Sequence, residues 1–145
     1  MELGRRQSDR SFNESPDLLA VVTADGVLKI VNAAWGRALG YRLDELIGRP
    51  FFKVVDDHDR VTALKLVNPR LATPGSPVVE LALRCKDLSY RSFLWNRRYI
   101  VAEQAVFISG RDITERKKME TTQNLRLYDV YAQARKIKEP SGSGG

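Results

Sequence analysis

The sequence predicts an α+β fold, with a five-stranded antiparallel sheet, short helices on one face of that sheet and a longer helix at the C-terminal end. The sheet is predicted by a hairpin signal near residue 25 and by three strand-like runs between residues 78 and 109. The helices are predicted by apolar residues at helical spacing between residues 33 and 67 and again after residue 113. Because neighbouring runs pair most easily as antiparallel strands, one sheet accounts for all five runs.

The first two strands are predicted for the apolar runs at residues 18–23 and 27–31. Between them lies Asp25-Gly26, a dipeptide that is typical of the tight turn of a β-hairpin. After Asn32 the apolar residues change to helical spacing, which predicts a short helix. This helix ends at Gly40, because a glycine readily closes a helix in the left-handed conformation.

Two further short helices are predicted in the middle of the chain. Residues 42–48 form an amphipathic turn that again ends at a glycine. An acidic cluster at residues 56–59 predicts the start of the next helix, because acidic side chains interact favourably with the positive end of a helix dipole. We expect the apolar side chains of this helix to be Val61, Leu64 and Val67.

The second half of the chain predicts a loop, three strands and a long helix. Three prolines between residues 69 and 77 indicate the loop. Apolar runs predict strands at residues 78–86, 92–101 and 104–109. Thr114 is expected to cap a charged helix that continues to about residue 138.

A chain of 145 residues has room for one ordinary domain and little more. We therefore expect a single domain with flanking segments, and exclude the last six residues from the fold because their Pro-Ser-Gly composition is that of a linker. The predicted organisation is an N-terminal flank at residues 1–11, a domain at 12–113, an amphipathic linker helix at 114–139 and a flexible tail or engineered linker at 140–145.

Charge and hydropathy exclude several classes of function. The 24 basic and 18 acidic residues give a net charge of +6, but this excess is spread along the chain, unlike the concentrated positive charge of nucleic-acid-binding proteins. No apolar run approaches the roughly 20 residues that cross a bilayer, and the N-terminal residues do not resemble a signal peptide. A single cysteine, Cys85, cannot form an intrachain disulfide. These observations predict a cytoplasmic protein that binds no nucleic acid and has no membrane segment.

Several segments, taken with this order of elements, resemble the PAS family of sensory domains over about residues 12–120. The most specific is GRDITERKKME at residues 110–120, which is similar to the segment that closes bacterial PAS domains and leads into their signalling helix. Weaker similarities follow in the family's order at residues 12–17, 31–34, 39–41, 44–50 and 95–98. The resemblance implies a PAS-like fold and a sensory or dimerisation module of a larger bacterial signalling protein, with an output domain after about residue 139.

The junction between the last strand and the long helix is the place where such a module is expected to pass on its signal. Asp112 and Thr114 flank this junction. A carboxylate there can accept hydrogen bonds from backbone N–H groups, and a threonine hydroxyl can cap the helix. A stiff junction lets a small change in the sheet move the helix as a body, although capping alone favours the simpler interpretation that Thr114 only caps the helix.

The resemblance also implies a pocket for a small-molecule ligand between the sheet and the short helices. We expect its lining to include Trp35, Leu39, Phe52, Leu64, Leu83, Trp95 and Phe107. The fourth predicted strand carries large apolar side chains on both of its faces. The outer face of the sheet is therefore expected to be covered too, by the N-terminal segment or by a second copy of the chain.

No enzyme, metal site or cofactor is predicted. His58 is the only histidine, and its place among Asp56, Asp57 and Asp59 is typical of a solvent-exposed helix start rather than of a haem ligand or a cation site. The cysteine motif that forms a flavin adduct in light-sensing PAS domains is absent, since Cys85 lies in a predicted strand and points inward. A sensor that carries haem, or flavin without that cysteine, remains the alternative function.

The C-terminal helix carries a short apolar seam. Leu127, Val130, Ala134 and Ile137 recur at alternating steps of three and four, which is the spacing of a coiled coil. Because the seam spans fewer than two heptads, we expect a parallel homodimer in which the domain supplies most of the affinity. The alternative is a single helix folded back on its own domain.

Overall fold

The structure, a computed structural model, describes residues 10–71 and 78–138, with side chains as far as residue 135. The chain divides into two compact units, one that ends at Ile113 and one that begins at Thr114. The first unit contains the sheet and the short helices, and we call it the domain. The described part of the second unit, up to residue 138, is a single helix.

Within residues 10–71 and 78–113, the domain contains five strands, four short helices and three 3-10 turns. The strands are β1 (Leu18–Thr23), β2 (Leu28–Val31), β3 (Val78–Arg84), β4 (Tyr90–Ile100) and β5 (Ala105–Asp112). The helices are α1 (residues 10–14), α2 (Ala34–Leu39), α3 (Leu43–Leu46) and α4 (Arg60–Val67). The 3-10 turns are Phe51–Val54, Asp57–Asp59 and Val101–Glu103.

All strand pairs are antiparallel, and the order across the sheet is β2-β1-β5-β4-β3. The predicted fold class is therefore confirmed. The hairpin of β1 and β2 turns at Gly26, whose φ of 81° lies in the left-handed region that favours glycine. Strand β5 lies between β1 and β4 and forms backbone hydrogen bonds with both, so it joins the N-terminal and C-terminal strands of the domain.

One face of the sheet forms the core together with the helices. Because side chains alternate along a strand, its inner positions include Ala20 in β1, Leu81 in β3, Phe93 in β4 and Ile108 in β5, all of which are buried. The opposite, outer face carries apolar side chains that are half-buried or exposed: Leu19, Val21, Ile30, Leu94, Ile100 and Phe107.

Two predicted pocket residues lie away from the core. Phe107 alternates with the buried residues Val106 and Ile108 and is therefore on the outer face, with the guanidinium carbon of Arg98 6.0 Å from its ring centre. Leu64 is 39% exposed, because the inward-facing positions of α4 are Ala63, Leu66 and Val67. The expected apolar side of α4 was thus wrong at Leu64, and at Val61, which is also exposed.

The second unit is helix α5, Thr114–Lys138, of 25 residues. Nearly all of its described side chains are exposed, including those of Met119, Leu125, Leu127, Tyr128, Val130 and Tyr131. None of the described helices is both long enough and apolar enough to span a bilayer.

Candidate functional site

Four aromatic side chains fill the centre of the domain, where the ligand pocket was expected. Trp35 of α2, Phe51 of the following 3-10 turn, and Phe93 and Trp95 of β4 are all buried. The Trp95 ring centre lies 6.0 Å from that of Trp35, 5.8 Å from that of Phe51 and 5.6 Å from that of Phe93, in tilted or edge-on arrangements. These are the favoured geometries of packed aromatic rings. The centre is therefore held by side-chain contacts among the rings.

Both tryptophans also satisfy their polar atoms inside the core. The indole N–H of Trp35 donates to the Leu19 carbonyl at 3.0 Å, and that of Trp95 donates to the Leu81 carbonyl at 3.4 Å. A buried N–H without a partner is costly, so these bonds fix the orientation of each ring as well as its depth. The two indoles thereby tie α2 to β1, and β4 to its neighbour β3.

Gly110 makes room for the Trp95 ring. The two residues face each other across β4 and β5, and a Cβ atom at Gly110 would lie 2.7 Å from the nearest ring carbon of Trp95. No ordinary carbon–carbon contact is this short, so the indole lies directly on the backbone of β5. Position 110 therefore requires a glycine, because the Trp95 ring closely approaches the backbone there. This position lies two residues before the predicted junction residue Asp112.

Four of the seven predicted pocket residues are buried in the same core cluster, namely Trp35, Leu39, Leu83 and Trp95. Phe52 is half-buried and packs against this cluster, whereas its neighbour Phe51 is completely buried. Leu64 and Phe107 lie outside the cluster, as described above. The sequence offers no periodic signal to decide between Phe51 and Phe52, because they lie in a single 3-10 turn.

Asn32 is a buried polar residue that the sequence did not single out. Its side-chain oxygen accepts a hydrogen bond from the Leu19 N–H at 2.9 Å. Its side-chain nitrogen donates to the carbonyls of Phe12 and Asp17, at 2.8 and 2.9 Å. One amide thus joins β1 to the segment that precedes it, and the polarity of Asn32 is fully used inside the domain.

The predicted junction residues lie at the end of β5. Asp112 forms an ion pair with Arg91, with Nε of Arg91 2.6 Å from the carboxylate oxygen. The N–H of Ile113, the next residue, donates to the Ser92 carbonyl at 2.8 Å. Two adjacent residues of β4 therefore hold the last residues of the domain. Thr114 is buried and is the first residue of α5.

The acidic side chains of residues 56–59 have hydrogen-bond or ion-pair partners within the domain. A carboxylate oxygen of Asp59 accepts a hydrogen bond from the Ala82 N–H at 2.7 Å, and Asp57 pairs with Arg60 at 2.9 Å. Asp56 accepts from the N–H of His58, whose side chain is 93% exposed. Across the part of the chain that the structure describes, no three acidic, histidine or cysteine side chains are grouped as metal ligands.

Cys85 lies directly after β3 and is buried, with its sulfur 3.9 Å from the Ala38 carbonyl. Its inward orientation agrees with the prediction, although β3 ends two residues earlier than expected. A thiol in this position packs as a small apolar side chain.

The predicted helix seam is exposed wherever its side chains are described. Leu127 and Val130 are exposed to 67% and 65%, and Ala134 is exposed as well. Ile137 lies in α5, but its side chain is outside the described residues.

The family model described as PAS fold matches residues 12–118. Among solved structures, the PAS domain of an HTR-like protein from Haloarcula marismortui is 26% identical, with a TM-score of 0.63, and the match covers 77% of this chain and 93% of that one. A PAS domain from Colwellia psychrerythraea is 20% identical, with a TM-score of 0.61, and covers 79% of this chain and 99% of its own.

A third solved structure is a domain of a sensory box sensor histidine kinase/response regulator from Geobacter sulfurreducens. It is 15% identical, with a TM-score of 0.57, and the match covers 77% of this chain and 97% of that one. No curated protein is significantly similar to this chain.

Proposed function

Because the chain belongs to the PAS family, we propose that it is a sensory and dimerisation module, which relays a change in its domain to a downstream output domain through α5. The domain from Geobacter sulfurreducens with the same fold is part of a sensor histidine kinase/response regulator, and we place this chain in a comparable signalling setting. We further propose that the module is non-catalytic and acts in the cytoplasm.

The observation that carries this proposal is the connection between β5 and α5. A single residue, Ile113, separates the last residue of a central strand from the first residue of the helix. Its N–H is bonded to β4, and the preceding Asp112 is paired with Arg91 of the same strand. A displacement of β4 or β5 is therefore transmitted to the start of α5 without passing through a flexible linker.

The second part of the proposal is a parallel homodimer. The exposed apolar side chains of α5 and the apolar outer face of the sheet support it. Burial of apolar surface away from water lowers the free energy, so both surfaces favour contact with a second copy of the chain. We propose that contacts between the outer faces supply most of the affinity and that the seam at Leu127, Val130, Ala134 and Ile137 sets the register. Coverage of the outer face by the N-terminal residues of the same chain is the competing arrangement.

The dimer is tested by a pair of matched substitutions in α5. Leu125 and Leu127 are both exposed leucines, but they lie on opposite sides of the helix because each residue advances it by about 100°. Lysine at position 127 places like charges face to face across a parallel seam, whereas lysine at position 125 points away from it. We expect Leu127→Lys to weaken dimerisation in sedimentation equilibrium and Leu125→Lys to leave it unchanged.

The double variant Leu127→Lys/Val130→Lys strengthens the same test, and its domain should remain folded by circular dichroism. Equal masses for the wild type and both single variants, with a monomer throughout the micromolar range, would contradict the dimer. If Leu125→Lys weakened the dimer more than Leu127→Lys did, the proposed seam would be contradicted.

The relay is tested at the junction. Arg91→Gln removes the positive partner of Asp112, and we expect it to alter the output activity of the parent protein while the domain keeps its fold. Arg70→Gln, an exposed arginine that follows α4 and belongs neither to the junction nor to the outer face of the sheet, is the control for loss of charge. If both variants change the output equally, the junction has no special part in the relay.

A further inference from the structure

A groove on the surface of the domain has an apolar floor and a positively charged rim. It is formed by α3, the Phe51–Val54 turn and the ends of β2 and β3, and its volume is about 320 Å³. This volume is at the lower end of the range of small-molecule sites in proteins. The groove is distinct from the aromatic centre, since none of the four clustered rings lines it.

The floor of the groove belongs to the hydrophobic core. Leu28, Leu46 and Val54 line the groove but are only 0%, 2% and 6% exposed. Its accessible apolar surface therefore belongs mainly to the exposed Pro50 and the half-buried Tyr41. Tyr41 forms one side, and its hydroxyl group donates to the Arg84 carbonyl at 2.9 Å. The groove thus offers a hydrocarbon group a surface that is already partly dehydrated.

Three cationic side chains form the rim, namely Arg49, Lys53 and Arg84. Within the described ranges 10–71 and 78–138, none of them is within 4.0 Å of a carboxylate. Arg84 is instead held by a neutral group, because its guanidinium donates to the Lys53 carbonyl at 3.2 Å. Its charge is positioned beside the groove and is not neutralised by this bond.

The groove has a single acidic residue, Glu45, and this residue already has a partner. The ammonium group of Lys86 lies 2.8 Å from its carboxylate. This hydrogen bond, together with one from the Arg42 backbone, lowers the pKa of Glu45 below its usual value. Glu45 therefore leaves the positive charge of the rim largely uncompensated.

The walls of the groove are joined by backbone hydrogen bonds. The Leu28 N–H donates to the Arg49 carbonyl at 2.9 Å, and the Gly48 N–H donates to the Leu28 carbonyl at 2.8 Å. On the other side, Val55 forms a bridge with Leu83. Because these backbone contacts already fix the walls relative to one another, binding here requires little ordering of the chain.

From this arrangement we propose that the groove binds a small amphipathic organic anion, with its carboxylate at Lys53 and Arg84 and its hydrocarbon part on Tyr41, Pro50 and Val54. Carboxylates are matched by guanidinium and ammonium donors, and the apolar floor selects against small inorganic anions. The inference rests on the proposed sensory function only in treating this ligand as a signal. The binding itself is measured without reference to the dimer or to α5.

Octanoate is the probe for this site, with 1-octanol as the neutral control and octylammonium as the control of opposite charge. In a titration of the full ¹⁵N-labelled chain, we expect octanoate to shift the amide signals of Leu28, Gly48 and Lys53, and to saturate. We expect octanol and octylammonium to bind at least about tenfold more weakly, since each lacks the charge-assisted hydrogen bonds.

Matched variants locate the binding. Lys53→Gln and Arg84→Gln should each weaken octanoate binding by about tenfold. Lys65→Gln removes an exposed lysine from α4, outside the groove, and should leave the affinity unchanged. Binding to Leu127→Lys/Val130→Lys should equal that of the wild type, so that failure of the dimer and failure of the groove are observed separately.

Three results would overturn the proposal. The first is equal affinity for octanol and octanoate, which would show that the charge is not recognised. The second is a set of octanoate-induced shifts confined to the outer face of the sheet or to α5. The third is wild-type affinity in both Lys53→Gln and Arg84→Gln.

Discussion

The domain and helix α5 place their large apolar side chains in opposite ways. In the domain, Trp35, Phe51, Phe93 and Trp95 are at most 1% exposed, whereas the six large apolar side chains described in α5, up to residue 135, are at least 60% exposed. The domain therefore has a core of its own, whereas the described large apolar side chains of α5 are exposed. The difference teaches that the fold of the domain rests on its own buried contacts, while a partner surface for α5 belongs to the dimer proposed above.

The largest loss of stability in the domain is expected from Trp95→Ala, because this substitution removes the aromatic ring that contacts the other three. Truncation of a buried aromatic side chain costs about 3–5 kcal/mol, a large part of the stability of a typical domain. Leu94→Ala, at the neighbouring position on the outer face, is the control and should cost much less. Thermal and urea unfolding measure both. A melting temperature of Trp95→Ala within a degree or two of the wild type would refute the inward orientation.

A smaller loss is expected from Gly110→Ala, because the new methyl group collides with the Trp95 ring at 2.7 Å. Overpacking of this kind costs about 1–3 kcal/mol. The cost should fall towards zero when the same substitution is made in Trp95→Leu, since the smaller side chain leaves space. Urea unfolding of the four members of this cycle measures the coupling. Equal costs in both backgrounds would mean that backbone conformation, and not the ring, requires the glycine.

Asn32→Ala should destabilise the domain through its hydrogen bonds. It leaves the N–H of Leu19 and the carbonyls of Phe12 and Asp17 without their side-chain partner. The expected loss is about 1–3 kcal/mol. Asn96→Ala, an exposed asparagine of β4, should change the free energy of unfolding by less than about 0.5 kcal/mol. Similar losses in the two variants would contradict the structural part assigned to Asn32.

The smallest effect is expected from His58→Ala, whose side chain is 93% exposed. We expect the free energy of unfolding to change by less than about 0.5 kcal/mol. We also expect the purified protein to have no visible absorption band. A Soret band that disappears in this variant would instead establish the haem-carrying alternative, and a flavin spectrum in the wild type would establish the other.

Features that depend on contacts local in sequence could be predicted, whereas features that depend on contacts between distant residues could not. The five strands and helix α5 were predicted from local periodicity, because a strand and a helix impose different spacings on apolar residues. The antiparallel arrangement was predicted from the adjacency of the runs, but the pairing of β1 with β5 was not predicted. The resemblance to PAS domains in residues 110–120 was confirmed by the family match. Position along the chain also predicted that Asp112 would lie at the junction, but not that Arg91 would be its ionic partner.

The sequence alone therefore determined the five strands, helices α2 to α5, their order and the family, but not helix α1. Tertiary structure alone decided that Phe107 faces outward, since β5 is apolar in both alternating phases and a shift of one residue exchanges its faces. It also decided that Phe51 rather than Phe52 joins the aromatic cluster and that Leu64 of α4 is exposed. The contacts of Asn32 and the cations around the groove come from segments distant in sequence. Such contacts depend on how the elements pack, and the spacing of apolar residues along the chain does not specify that packing.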